Sequence, residues 1–370
     1  MERALATSRV RYEEPHPIRR RIRLMLVDDS TVARAVIARM IESDPAFEIS
    51  AVAGTAEDAI EALSQVRVDI VILDLEMPGQ GGLKLLPRII GAAAGAKVLI
   101  VSTLAEEGAE QTLKALALGA ADTLPKPGTG RFNGRFSEVL VGKLKALGYA
   151  TNSTRVASAA PRGTNPAELR PMPSDPIDCL AIGASTGGIH ALGALFHALP
   201  KAIGIPILIT QHLPATFMPV FARQLGAIAH REALVAEDGM ALRPDRIILA
   251  PGDASLTLEP IGRGAVVRLL EGRSASGCMP SLDPMFASVG AVYGPAALAV
   301  VLTGMGRDGV EGSERLVAAG GSVIAQDETS SAVWGMPRAV LEAGLVSAVL
   351  PLDKIARRIA ARVEEIAGCK

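Results

Sequence analysis

Residues 22–41 read IRLMLVDDSTVARAVIARMI. The first six of them, Ile22–Val27, are apolar apart from Arg23 and predict a buried strand. Asp28 and Asp29 close that strand, and Ser30 offers an N-cap to a helix over residues 30–41. The same strand-then-helix unit recurs downstream. Strands are predicted at residues 49–53, 68–73, Lys97–Ser102 and 121–124, with helices at Ala56–Gln65, 83–90 and 107–118. Five strands at that spacing imply a parallel sheet covered on both faces. From residue 148 to 176 Ser, Thr, Asn and Pro replace the periodic pattern, which is a linker composition. The alternation then resumes. Strands are predicted at 179–183, 205–211, 246–250, 266–270, 297–303 and Ser322–Gln326, and helices at Gly188–Ala198, 219–226, 283–293 and 312–319. The chain therefore divides into a basic tail (1–21), a first α/β domain (22–147), a linker (148–176) and a second, doubly wound α/β domain (177–370).

Composition narrows the class. With 49% hydrophobic, 21% charged and only 3% aromatic residues, the cores must be filled by Ala, Val, Leu, Ile and Gly. The charge of -1 argues against a general nucleic-acid binder, which would show a basic surplus. Cys179, Cys278 and Cys369 form neither an even set nor a close pair, so a disulfide framework or a thiolate zinc site is not expected and a cytoplasmic setting fits. No stretch of 18 or more apolar residues predicts insertion into a membrane. Seven arginines crowd the start (Arg3, Arg9, Arg11, Arg19, Arg20, Arg21 and Arg23) with no apolar h-region within that stretch, so they read as a solvated tail rather than a secretory signal.

In parallel sheets the chemistry sits outside the carboxyl ends of the strands. In the first domain those ends carry Asp28, Asp29, Asp74 (in ILDLEMPG, residues 72–79), Ser102 and Lys126. Three converging carboxylates call for a hard divalent cation, and the lysine can reach the same place. The set suits phosphoryl transfer to Asp74. Through VDDS, LDLEMPG, VST and LPKP the region resembles the response-regulator receiver family, a flavodoxin-like fold. The resemblance implies that Asp74 accepts phosphate from a histidine kinase, that Asp28, Asp29 and Asp74 hold Mg2+, that Lys126 contacts the phosphate, and that Ser102 is the switch hydroxyl. Receivers commonly place an aromatic switch three residues before the lysine. Here that position is Thr123, which offers no ring to swing.

In the second domain, residues 183–188 read GASTGG between a predicted strand and a predicted helix. A G-x-S-x-G turn there presents the Ser185 hydroxyl, and the helix start supplies backbone donors for a developing oxyanion. A glycine-rich phosphate turn is the rival reading, weakened because no lysine follows. Of five histidines, His16 lies in the tail, His190 and His197 share a helix, and His230 has no strand-end context. His212, in TQHLP, ends a strand at the same sheet edge as Ser185 and is the preferred base. No Asp or Glu occurs between Ser185 and His230, so the order serine, acid, histidine is excluded. Asp308, in LTGMGRDG, is the favoured acid, with Asp253 and Asp283 as rivals. Residues 304–309 also fit G-x-G-x-x-G, with Asp327 some eighteen residues on, so a dinucleotide site is a competing reading. Against it, Asp308 would place a carboxylate in the loop meant for pyrophosphate.

Taken in order behind a receiver, GASTGG, TQHLP, LAPGD, PSLD, LTGMGRDG and WGMPR resemble the chemotaxis protein-glutamate methylesterase family, whose catalytic domain is Rossmann-like. That resemblance implies a hydrolase that releases methanol from glutamyl methyl esters of methyl-accepting chemoreceptors and also deamidates receptor glutamines. It implies Ser185 as nucleophile, His212 as base and Asp308 as its orienter, with Thr186 and backbone near Met305 lining the oxyanion site. It further implies that the receiver covers the catalytic face until Asp74 is phosphorylated, and no cofactor in the catalytic domain. Cys278 and Met279 stand where family members often carry His or a basic residue. A non-enzymatic signalling adaptor and a receiver-linked dinucleotide-binding protein are the alternatives.

Overall fold

A computed structural model of the chain describes residues 20–102, 106–126, 134–156, 169–173, 175–262 and 264–364. Most of the basic tail and the middle of the linker lie outside these residues. The first domain runs β1 (Ile22–Val27), α1 (Thr31–Glu42), β2 (Phe47–Ala53), α2 (Ala56–Gln65), β3 (Ile70–Leu73), α3 (Gly82–Ala92), β4 (Lys97–Ser102), α4 (Glu106–Ala117), β5 (Asp122–Pro125) and α5 (Gly134–Val156). Its five strands pair in parallel in the order β2-β1-β3-β4-β5. β1 lies between β2 and β3 and is buried on both faces, which is why its residues other than Arg23 are apolar. Ser30 caps α1 by accepting from the Ala33 amide at 3.2 Å, and Thr55 caps α2 in the same way. α5 runs on into the stretch that composition marks as linker.

The second domain contains β6 (Cys179–Ala184), α6 (Gly188–Ala198), β7 (Ile207–Gln211), a 3-10 turn (Ala215–Phe217), α7 (Met218–Ala229), β8 (Ala233–Val235) and β9 (Ile247–Leu249). There follow β10 (Ser255–Ile261), β11 (Gly264–Leu270), α8 (Leu282–Tyr293), β12 (Ala297–Val301), α9 (Val310–Ala318), β13 (Ser322–Gln326), α10 (Met336–Glu342), β14 (Ala348–Leu350) and α11 (Leu352–Glu364). Seven strands form a parallel sheet in the order β14-β13-β12-β6-β7-β9-β8. β6 is flanked by β12 and β7, so the loops after these three strands meet at one sheet edge. The strand predicted at 266–270 forms as part of β11, which pairs antiparallel with β10 in a hairpin apart from this sheet. Its alternating burial has the period of a strand with one solvated face, and that period says nothing about which partner it finds.

The domains pack against each other. α4 lies on α6, α7 and the 3-10 turn. Leu113 and Leu116 of α4 belong to the same buried apolar cluster as Ile189 and Leu192 of α6. Val333, from the loop before α10, is buried in the cluster that holds Leu99, Leu124 and Leu140 of the first domain. No helix among the described residues is long and apolar enough to cross a membrane.

Candidate active site

In the first domain the strand ends bring Asp28, Asp29 and Asp74 together, with one carboxylate oxygen from each lying within 4.8 Å of the others. Lys126, just past β5, places its Nζ 2.6 Å from Asp74 Oδ2 and 3.0 Å from Asp28 Oδ2. Burial pushes the Asp74 carboxyl up, and the Lys126 bond offsets only part of this. Burial also works against the Lys126 ammonium, but its bonds to Asp74 and Asp28 outweigh it and hold its pKa up. An oxygen-only cluster this tight fits a hard cation such as Mg2+. Ser102 is buried and turns toward α4, where its hydroxyl shares a 2.6 Å hydrogen bond with Thr112. Thr123 is buried as well.

In the second domain Ser185 follows β6 directly, at the turn into α6. The turn needs two glycines there. Gly187 has φ of 79°, and a Cβ on Gly188 would lie 2.0 Å from the Gln211 side-chain oxygen. Gln211, the last residue of β7, donates its amide to the Ser185 carbonyl at 3.0 Å, and Thr303 Oγ1 donates to the Thr186 carbonyl at 2.9 Å. These two bonds fix the backbone on either side of the serine hydroxyl. On the far side, a Cβ on Gly304 would come within 2.8 Å of Ser185 Cβ, so the loop after β12 is pressed against the serine.

His212 leaves the end of β7, and its Nε2 donates to Asp308 Oδ2 at 2.8 Å. Asp308 is buried and takes three more bonds: Ser276 Oγ at 2.7 Å, Ser281 Oγ at 2.6 Å and the Leu282 amide at 2.8 Å. Burial opposes its charge, but the bond and charge of His212, with those from Ser281 and Leu282, prevail and hold its pKa down to about 2. Asp308 therefore stays a carboxylate and an acceptor only. The rival acids go elsewhere. Asp253 is exposed, and Asp283 accepts the Gly312 amide at 2.8 Å. Burial first, and then the neighbouring Asp308, raise Asp283 to about 6. His190, His197 and His230 are all exposed. Residues 304–309 do not form a phosphate cradle, because Asp308 faces His212, and Asp327 is tied to Thr329 and Ser330 of its own turn.

Ser185 and His212 line one cavity of about 10 Å3 together with Gln211, Ala121 and Asp122, room for about one water molecule. Among the described residues no hydrogen bond joins Ser185 Oγ to His212. The first domain forms the roof of this cavity. Asp122 Oδ2, on β5, accepts from Thr186 Oγ1 and from Lys143 Nζ, each at 2.5 Å, and the Ala121 carbonyl accepts the Gly187 amide at 2.7 Å. Met305 is exposed on the loop beside Ser185. Sequence reasoning missed Asp122, Gln211, Ser276 and Ser281. Gln211 and Ser281 stand inside quoted motifs, TQHLP and PSLD, beside the histidine and the aspartate that carry the obvious chemistry.

Comparison with known proteins follows the same division. The model of the CheB methylesterase family matches residues 180–359, and that of the response regulator receiver domain matches residues 24–131. The chain is 41% identical over 368 residues to the protein-glutamate methylesterase/protein-glutamine glutaminase 1 of Paramagnetospirillum magneticum, covering 93% of this chain and 97% of the relative. It is 41% identical to protein-glutamate methylesterase/protein-glutamine glutaminase 2 of Caulobacter vibrioides, over 94% of this chain and 100% of that one. Among solved structures, the catalytic domain of Thermotoga maritima CheB methylesterase is 33% identical over 50% of this chain and 97% of its own (TM-score 0.48). The response regulator domain of the same organism's CheB is 34% identical over 36% and 98% (TM-score 0.32).

Proposed function

The chain belongs to the receiver-linked CheB methylesterase family and is an enzyme of the protein-glutamate methylesterase/protein-glutamine glutaminase kind, and from that premise we propose how its own residues do the work. Ser185 is the nucleophile, His212 its base and Asp308 the group that holds the base. The observation that carries this reading is the His212–Asp308 bond at the sheet edge where Ser185 stands. A buried carboxylate can only accept, so His212 Nε2 carries the proton and Nδ1 keeps its lone pair. Nδ1 takes the Ser185 proton as the oxygen attacks the glutamyl carbonyl. The tetrahedral intermediate then expels methoxide, which leaves as methanol with the proton from His212. Water, deprotonated by the same nitrogen, releases the glutamate. A glutamine substrate follows the same course with ammonia leaving. The Thr186 amide at the head of α6 and backbone near Met305 face the developing oxyanion.

Regulation follows from the roof over Ser185. A cavity of about 10 Å3 admits no glutamyl side chain, so the state described is the closed one. Asp122 and Ala121 occupy Thr186 and the Gly187 amide, where a substrate carboxyl derivative would sit. Asp74 accepts phosphate from a histidine kinase. Asp28, Asp29 and Asp74 would hold Mg2+, which when bound neutralises phosphate oxygens, and Lys126 contacts the phosphate. With Thr123 in place of a ring, the route outward runs through Ser102. Drawn toward the phosphoryl group, its hydroxyl leaves Thr112 and frees α4, the helix packed on the catalytic domain. The substrates are chemoreceptor cytoplasmic helices, which places the protein in the cytoplasm. The test is methanol release from methylated receptor by the full chain. A small phosphodonor should raise it, and Ser185→Ala should abolish it while leaving phosphorylation of Asp74 intact. Retained hydrolysis in that variant would remove Ser185 from the chemistry.

A further inference from the structure

Beside the His212–Asp308 pair stands a side chain the hydrolysis does not use. Cys278, a free and half-buried cysteine in the segment leading to α8, brings its Sγ within 4.8 Å of donor atoms on both His212 and Asp308. One sulfur, one imidazole nitrogen and one carboxylate oxygen thus face a common point. From this cluster we infer that His212, Cys278 and Asp308 form an inhibitory zinc site, in which the ion disables the catalytic base.

The donor set is the argument. Zinc takes Cys, His and carboxylate ligands with bonds of about 2.0–2.3 Å, which spaces ligand atoms roughly 3.3–3.6 Å apart in a tetrahedron. His212 Nε2 and Asp308 Oδ2, now 2.8 Å apart, would part by about 0.5 Å, and a sulfur approach of roughly 1 Å at most completes that geometry, with three protein ligands leaving the fourth position to water. Thiolate and imidazole select zinc over magnesium or calcium, which prefer oxygen alone. The carboxylate is already held from behind by Ser276, Ser281 and the Leu282 amide, the kind of outer support that orients metal ligands. The proton balance explains the inhibition, which rests on the proposed role of His212. A thiol that coordinates the ion releases its proton to solvent. Zinc on Nε2 displaces the proton that nitrogen donates to Asp308, and the neutral ring must carry it on Nδ1 instead. Nδ1 is the atom that would accept from Ser185, so the metal-bound enzyme has no base.

The experiment uses the full chain activated by phosphodonor, in two arms. Zn2+ added from a metal buffer should inhibit methanol release reversibly, and Cys278→Ala should keep the metal-free rate while raising the half-inhibitory zinc concentration at least about tenfold. Co2+ in place of zinc should give a sulfur-to-metal charge-transfer band that Cys278→Ala removes. The receiver's aspartates bind through oxygen only and cannot give that band. Equal zinc inhibition with and without Cys278, or a cobalt spectrum without a sulfur band, would overturn the site. A Cys278-dependent band with unimpaired hydrolysis would keep the metal site and overturn His212 as the base, so the two failures are told apart.

Discussion

The two functional clusters occupy the same place in two parallel sheets, yet they are built on opposite principles. In the receiver, like charges are forced together. Asp28, Asp29 and Asp74 crowd one edge, with Lys126 as the nearby cation, and burial raises Asp74. Such a cluster is poised to change partners. In the catalytic domain a single carboxylate, Asp308, is satisfied by four donors and held at a pKa of about 2. That arrangement resists change and keeps one ring in one tautomer. A switch is made from unsatisfied electrostatics and a catalytic base from saturated hydrogen bonding, on the same strand-end geometry.

The sharpest way to break this contrast is to disturb the saturated side. Asp308→Asn keeps the shape but lets the amide donate to His212, stabilising the wrong tautomer. Hydrolysis by phosphodonor-activated enzyme should fall by about three to four orders of magnitude. A fall of only a few-fold would mean that Asp308 merely fills space. Next comes the latch between the two clusters. Asp122→Ala removes the acceptor for Thr186, a bond to a charged group worth about 1.5–3 kcal/mol, so unstimulated methanol release should rise roughly ten- to a hundredfold. Asp74→Asn should be deaf to phosphodonor, and combining it with Asp122→Ala should restore the raised rate without phosphate. A double variant as silent as Asp74→Asn would show that the roof is held elsewhere.

The smallest effect concerns the exception inside the catalytic domain. Asp283 has a folded pKa of about 6 against an ordinary 3.8, so folding favours its protonated form. Its contribution to stability is full below about pH 4 and is lost as pH rises through 6. Asp283→Asn can still accept the Gly312 amide but has no charge to bury. It should match the parent near pH 4 and exceed it at pH 7 by about 3 kcal/mol in denaturant titrations. A gap that does not change with pH would place the strain elsewhere.

These contrasts also explain what the sequence could disclose. Strand-end placement follows from chain order and period, so Asp28, Asp74, Ser185 and His212 are visible as residue types at predicted strand ends. The absence of acids between Ser185 and His230 narrows the search for the third member. What stays hidden depends on pairing between distant segments. Ser276 and Ser281 support Asp308 from the stretch between β11 and α8, and nothing local pairs either of them with that acid. Asp122 meets Thr186 only because two domains pack, and periodicity carries no information across that junction. The β10–β11 hairpin was hidden for the same reason, since its period fits either sheet.

The water-sized cavity over Ser185 has a quantitative use. If no substrate enters the closed form, every turnover by unphosphorylated protein comes from molecules whose domains have parted. The ratio of unstimulated to fully stimulated rate is then the open population itself, and each factor of ten in it measures about 1.4 kcal/mol of interface free energy. A steady-state rate thus serves as a thermometer for domain closure.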